Sequence, residues 1–245
     1  MPIRFYEPRL VSFAAGLAFI REVAATAALT LLALDQPTIV PNLIGCRPVE
    51  RVAGSLVSWL GGGVQPSNRG KTGMFCDASP IWKFLEDLGA TEDPEGARIA
   101  ANGLHLIEVF PALALASMDE RFFGRHCGPR YNPGRKKTFR VADWQRVAAV
   151  AAREARSFGC LDLANWCEAA GQVAAPRKEI QDRLDAALCV LIGLTWRKRP
   201  RETSLLLGDL VSGYMVLPAA PMARERLSIA ARRCNVPMDG RKLPE

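Results

Sequence analysis

Four carboxylates stand out in this sequence by where they sit. Asp35 ends the apolar run ALTLLAL and Glu108 ends LHLIE; each is a lone acid closing a run of strand length, shortly before a proline. In QDRLDAALC, Asp182 and Asp185 are three apart, and Cys189 and Ile192 continue the row from Asp185 at i+4 and i+7. Asp185 thus falls on a partly apolar helix face, where a carboxylate is costly unless it is paired or bound to a metal. Carboxylates gathered in one place repel one another and call for a compensating cation. Hard divalent ions such as Mg²⁺ or Mn²⁺ take oxygen ligands, and two of them about 4 Å apart clamp the attacking and leaving oxygens of a phosphodiester. The plain alternatives are that Asp35 caps a turn, Glu108 pairs with an arginine and the two aspartates are solvated.

The stretch GGGVQPSNRGKTG, residues 61–73, suggests a phosphate-cradling loop, but its spacing does not fit. A P-loop needs a glycine five residues before the Gly-Lys pair, because that glycine opens the backbone nest. Counting back from Gly70 gives Gln65, and Pro66 removes one of the required N–H donors. Other chemistries are thinly supplied. Two histidines, His105 and His126, and seven scattered cysteines without a CxxC pair argue against a compact zinc site and against a Ser-His or Cys-His nucleophile. The odd, dispersed cysteines read as a reduced, cytoplasmic complement.

The acids need elements to hold them. Apolar spacing predicts a helix over 13–25, then a buried strand over 28–35 that Pro37 stops. Continuous apolar strands belong to parallel sheets covered on both faces, which would put Asp35 at the C-terminal edge of a central strand, where open α/β sheets place their chemistry. Helices are expected over 48–60 and 80–88, a connection over 91–95, a second buried strand over 104–110, and helices over 141–157, 161–170 and 178–196. Residues 212–218 read as a late strand and the tail after Pro237 as frayed. RYNPGRKKTFR carries an Asn-Pro-Gly turn and a basic cluster, which makes it a surface loop. A length of 245 residues with 49% hydrophobic content suits one α/β domain. The most apolar segment is broken by Arg21 and Glu22 into arms too short to span a bilayer. A net charge of +7 suits a polyanionic partner.

ALDQPTIVPNLIGCRPVER, LIEVFPALAL, RYNPGRKKTF, QDRLDAALC and GDLVSGYMVLP together resemble, in order, signature blocks of a family of predicted nucleases with an RNase H-like fold, catalogued as a domain of unknown function. The resemblance runs from about Leu10 to Val236. It implies a mixed sheet flanked by helices, with a Mg²⁺- or Mn²⁺-dependent acidic site onto which Asp35, Glu108 and Asp185 map as metal ligands and Asp182 as a supporting acid. The substrate implied is nucleic acid, DNA or RNA. Its backbone would be met by Arg69 and Lys71 of the glycine-rich loop and by Arg135, Lys136 and Lys137 of the basic loop. Relatives begin with a hairpin whose first strand carries an aspartate, and this sequence starts after it. The expectation is therefore an unpaired edge on the 28–35 strand, open to pairing with another copy in a homo-oligomer, and loss of hydrolysis in this form. A non-catalytic nucleic-acid-binding or interaction module is the alternative reading.

Overall fold

The computed structural model describes residues 4–241. Ser12 caps the first helix, α1 (Phe13–Thr26), by accepting from the amide of Ala15. Strand β1 (Leu29–Leu34) follows after a two-residue break, and α2 (Pro48–Trp59) and α3 (Pro80–Leu88) both open on a proline at the first turn, where the missing N–H costs nothing. After α4 (Pro94–Ile99) comes β2 (Gly103–Glu108), then α5 (Pro111–Met118), α6 (Val141–Ser157), α7 (Leu161–Gly171) and α8 (Lys178–Lys198). A hairpin of β3 (Ser204–Asp209) and β4 (Gly213–Pro218) leads into α9 (Pro221–Cys234).

The expected α/β class holds, with nine α-helices and two small sheets among the described residues. β1 and β2 pair in parallel, with Leu34 opposite Glu108, and β3 and β4 pair antiparallel. A lone parallel bridge between Val109 and Val216 links the end of β2 to β4. Among the described residues β1 has β2 as its one strand neighbour, so it lies at the end of the row and not at its centre as the sequence suggested. Its six residues are accordingly half-buried rather than fully buried.

The two faces of β1 are covered by different elements. Leu32 and Leu34 pack with Ile81, Phe84 and Leu88 of α3 and with Leu17 and Ile20 of α1. Leu31 and Ala33 pack toward the main core, which is built on α5 to α8 around Trp144, Leu184, Leu188 and Trp196. Gly193 turns α8 toward β1: a Cβ there would make ordinary van der Waals contact with Ala33 and Leu31, at 3.5 and 3.6 Å. A second core joins α2, α5 and α9 to the β3–β4 hairpin through Leu56, Leu113, Leu217 and Leu227.

Five segments differ from the sequence reading. The 91–95 connection runs into α4, capped by Asp93, whose carboxylate accepts from the amide of Gly96. Helix α5, strand β3 and helix α9 were not anticipated. The segment after Pro237 is anchored, not frayed, as far as it is described: Met238 bridges to Leu207, and Asp239 accepts from Arg201, Arg224 and the amide of Leu206. The remainder, residues 242–245, lies outside the described residues. No helix among the described residues is long and apolar enough to cross a membrane.

Candidate acidic site

The parallel register decides which acids can meet. Because Leu34 is opposite Glu108, Asp35 stands one residue further along, and one residue is half the period of a strand. Glu108 therefore shares the α1/α3 side with Leu34, while Asp35 continues the Leu31, Ala33 side toward α8. The sequence carried this offset: Asp35 precedes its proline by two residues and Glu108 precedes its proline by three. The structure thus separates acids that the sequence reading had treated as equivalent.

Helix α8 brings the partner of Asp35. With Gly193 against Leu31 and Ala33, and the Cys189 thiol beside the backbone of Asp35, α8 runs opposite to β1 and places Asp185 just past the strand's end. Asp35, Asp182, Asp185, Lys178, Gln181, Arg130, Tyr131 and Arg135 line one cleft of about 660 Å³. Its floor is apolar, with Val57, Leu60, Phe110 and Leu115, and Gly62 and Gly63 form part of its lip. The triple glycine thus reaches the site, though not as a phosphate nest. Gly61 ends α2 with φ 88°, and the Arg130 guanidinium lies against it, donating to its carbonyl, so no side chain fits there.

Asp185 is held from two sides: Tyr131 Oη donates to Oδ1 at 2.8 Å, and Gln181 Nε2 donates to Oδ2 at 2.7 Å. Burial still pushes its carboxyl up to about 6, against the pull of those two donors. Tyr131 itself is raised well above the usual phenol value, by burial first and then by the charge of Asp185. Asp35 is exposed by surface area, but what it faces is the cleft, whose walls leave it little bulk water. Its carboxyl is raised to about 7, first by that desolvation, then by the charges of Asp185 and Glu108. Mutual repulsion is thus real but secondary to burial. Asp182 is neutralised by Lys178 in an i,i+4 pair, so of the two helix aspartates Asp185 is the one in need of a partner.

Glu108 is not available as a cation ligand in this arrangement, which corrects the expectation for it. It is 2% exposed, and the guanidinium of Arg47 grips both of its oxygens, Nη2 to Oε1 at 2.6 Å and Nη1 to Oε2 at 2.9 Å. The amide of Thr38 adds a donor to Oε2 at 3.1 Å. Arg47 is fully buried and also holds Glu50 through Nε at 2.9 Å, while Glu50 accepts from the amides of Arg47 and Ser67. Burial pushes the Glu108 carboxyl up and Arg47 pulls it back down. Two carboxylates on one guanidinium make a buried structural lock, and the plain reading of Glu108 was the correct one.

The basic residues divide in the same way. Arg135 lines the acid cleft, and Lys136 and Lys137 are exposed in the same turn. Arg69 pairs with Asp77, and Lys71 donates to the carbonyl of Pro66 at 3.3 Å. Their loop closes on residues 42–43 and borders a smaller cavity of about 200 Å³ beside Arg47 and Glu108. Neither Arg69 nor Lys71 lines the cleft of Asp35 and Asp185. Residues the sequence reading passed over, Arg130, Tyr131, Lys178 and Gln181, do.

Asp35 and Asp185 come from separate elements and offer oxygen atoms, the donor type a hard ion takes, and among the described residues no hydrogen-bond donor reaches Asp35. No group of three or more His, Cys, Asp or Glu able to hold a metal occurs among the described residues. Searches against family models, curated proteins and solved structures found no match to this chain.

Proposed function

We propose that the cleft between β1 and α8 is a cation-assisted phosphodiester site acting on nucleic acid, in an α/β domain of RNase H-like type. The observation that carries the reading is Asp35: a carboxylate that lines the same cleft as Asp185, has no hydrogen-bond donor among the described residues, and is raised by the charge of Asp185. Asp35 and Asp185 would hold the ion, Mg²⁺ or Mn²⁺. Bound there, it supplies Lewis-acid stabilisation to a phosphodiester's developing charge. The protein's own residues do the rest. Tyr131 and Gln181 fix the Asp185 carboxylate, and Asp182 pairs with Lys178. Arg130 and Arg135 present guanidinium groups on the cleft wall, the side-chain type that matches phosphate oxygens in pairs.

One observation favours a second reading, a nucleic-acid-binding module without hydrolysis. Glu108, which would have completed a carboxylate trio, is locked by Arg47.

Binding to nucleic acid is tested by the salt dependence of affinity for a fluorescent oligonucleotide, measured by anisotropy. Replacing Arg135, Lys136 and Lys137 together with alanine is expected to weaken binding across sequences and to lower the slope by about one unit per lost phosphate contact. Arg69→Ala with Lys71→Ala is expected to leave the slope nearly unchanged, because both side chains are committed to their own loop. The reverse pattern would move the interface to the smaller cavity.

A further inference from the structure

We propose that the side-chain amide oxygen of Gln181 is a third oxygen ligand for the cation held by Asp35 and Asp185, an inference that rests on the site proposed above. Gln181 is 5% exposed and lies in the first turn of α8, one turn before Asp185. Its Nε2 donates to Asp185 Oδ2 at 2.7 Å. That bond fixes which way the amide points, since the flipped amide would set oxygen against a carboxylate oxygen. The other end, Oε1, is then buried with no hydrogen-bond partner.

A buried acceptor left alone calls for a donor or a cation. Two donors of the same cleft are engaged elsewhere: the Tyr131 hydroxyl on Asp185 and Lys178 on Asp182. Gln181 shares its cleft with two carboxylates, Asp185 and Asp35. Two carboxylates and one neutral carbonyl give a hard donor set of charge −2, which matches a divalent ion whose remaining positions are filled by water.

The role as ligand differs from a role confined to steering Asp185, and two variants of the full chain tell them apart. The probe is MnCl₂, with free Mn²⁺ followed by electron paramagnetic resonance and binding heat by calorimetry. Gln181→Met keeps the length of the side chain and removes its oxygen, so Mn²⁺ affinity is expected to fall at least about tenfold. Gln181→Glu loses the donor to Asp185 but keeps an oxygen and adds charge. It is expected to bind Mn²⁺ at least as tightly as the wild type, and to gain more in melting temperature when Mn²⁺ is added. Weak binding by both variants would overturn the proposal and leave Gln181 as a positioning residue. Wild-type affinity in Gln181→Met would overturn it too. In either case, loss of Mn²⁺ binding in Asp35→Asn would leave the carboxylate site standing. Should Gln181→Met fail to fold, the Gln181→Glu arm decides alone. A wild type that binds no Mn²⁺ overturns both readings.

Discussion

Asp35→Asn is expected to melt higher than the wild type at pH 8 in EDTA, to melt like it at pH 4, and to lose the stabilisation that MnCl₂ gives the wild type. The sign follows from linkage. The Asp35 carboxyl is raised to about 7 in the folded chain, above an unfolded value near 3.9. Between those values the folded state holds a proton that the unfolded state has lost, so stability falls as pH rises through this window and the penalty is complete above it. Asp185, raised to about 6, adds a loss of the same sign. The charges of Asp185, Glu108 and Asp182 raise the Asp35 carboxyl further, and Lys178 lowers it. Asparagine keeps the shape and removes the charge. The exposed surface of Asp35 lets solvent screen part of the charge and keeps the effect modest. A rise of about 2–4 °C is the scale at which roughly 1 kcal/mol appears in a chain of this size. A cation reverses the order, since anything that binds only the folded state stabilises it by mass action. Equal melting of the two proteins at pH 8 with and without Mn²⁺ would remove Asp35 from any charged site.

Arg47→Met is expected to be the most damaging single change in the molecule. It leaves Glu50 and Glu108, both almost fully buried, facing each other without a cation. Removing one partner of a buried ion pair costs about 3–5 kcal/mol, against a total stability of about 5–15 kcal/mol. Low soluble yield or a collapse of the urea midpoint is the expected readout. Glu108→Gln is expected to be mild by comparison, because the amide oxygen can still accept from Arg47 and Thr38 while Glu50 keeps the guanidinium neutralised. Glu108→Gln should also leave the response to Mn²⁺ unchanged. A variant that folds normally but no longer binds the ion would restore Glu108 to the cation site.

The contrast between Asp35 and Glu108 shows how far the sequence could be read. Both acids end apolar runs near a proline, so both strands, β1 and β2, were legible from hydrophobic pattern and punctuation. Telling the acids apart required the register, which the two different distances to proline encode only once the strands are known to pair in parallel. Arg47 was hidden for a related reason. The run Arg47-Pro48-Val49-Glu50 reads as a helix start, and nothing local says that this arginine is buried against an acid 61 positions away. Asp185 was legible because a carboxylate in an apolar row demands an explanation. Gln181, four residues earlier on the same helix, was not, since a neutral amide in a first turn reads as a solvated residue until its burial is known. Helix α5, with its run of alanine and leucine, has apolar residues on all sides and gives no periodicity to find. The β3–β4 hairpin turns on Gly208 and Gly213, both at positive φ, and its first strand merges into the polar linker after α8.

The central claim is that Asp35 and Asp185 together hold an ion that serves phosphodiester hydrolysis. Its most direct test is cleavage of end-labelled single- and double-stranded oligonucleotides in MnCl₂, MgCl₂ or EDTA, by the wild type, Asp35→Asn and Asp185→Asn, with folding of each confirmed by its melting curve. Contrary to the sequence-based expectation that hydrolysis is lost in this form, the proposed site leads us to expect cleavage by the wild type that requires the metal, is stopped by EDTA, and falls at least about a hundredfold in either variant. Metal-dependent cleavage that survives in both folded variants would contradict it, and binding without cleavage by the wild type would leave the cleft as a nucleic-acid-binding site alone.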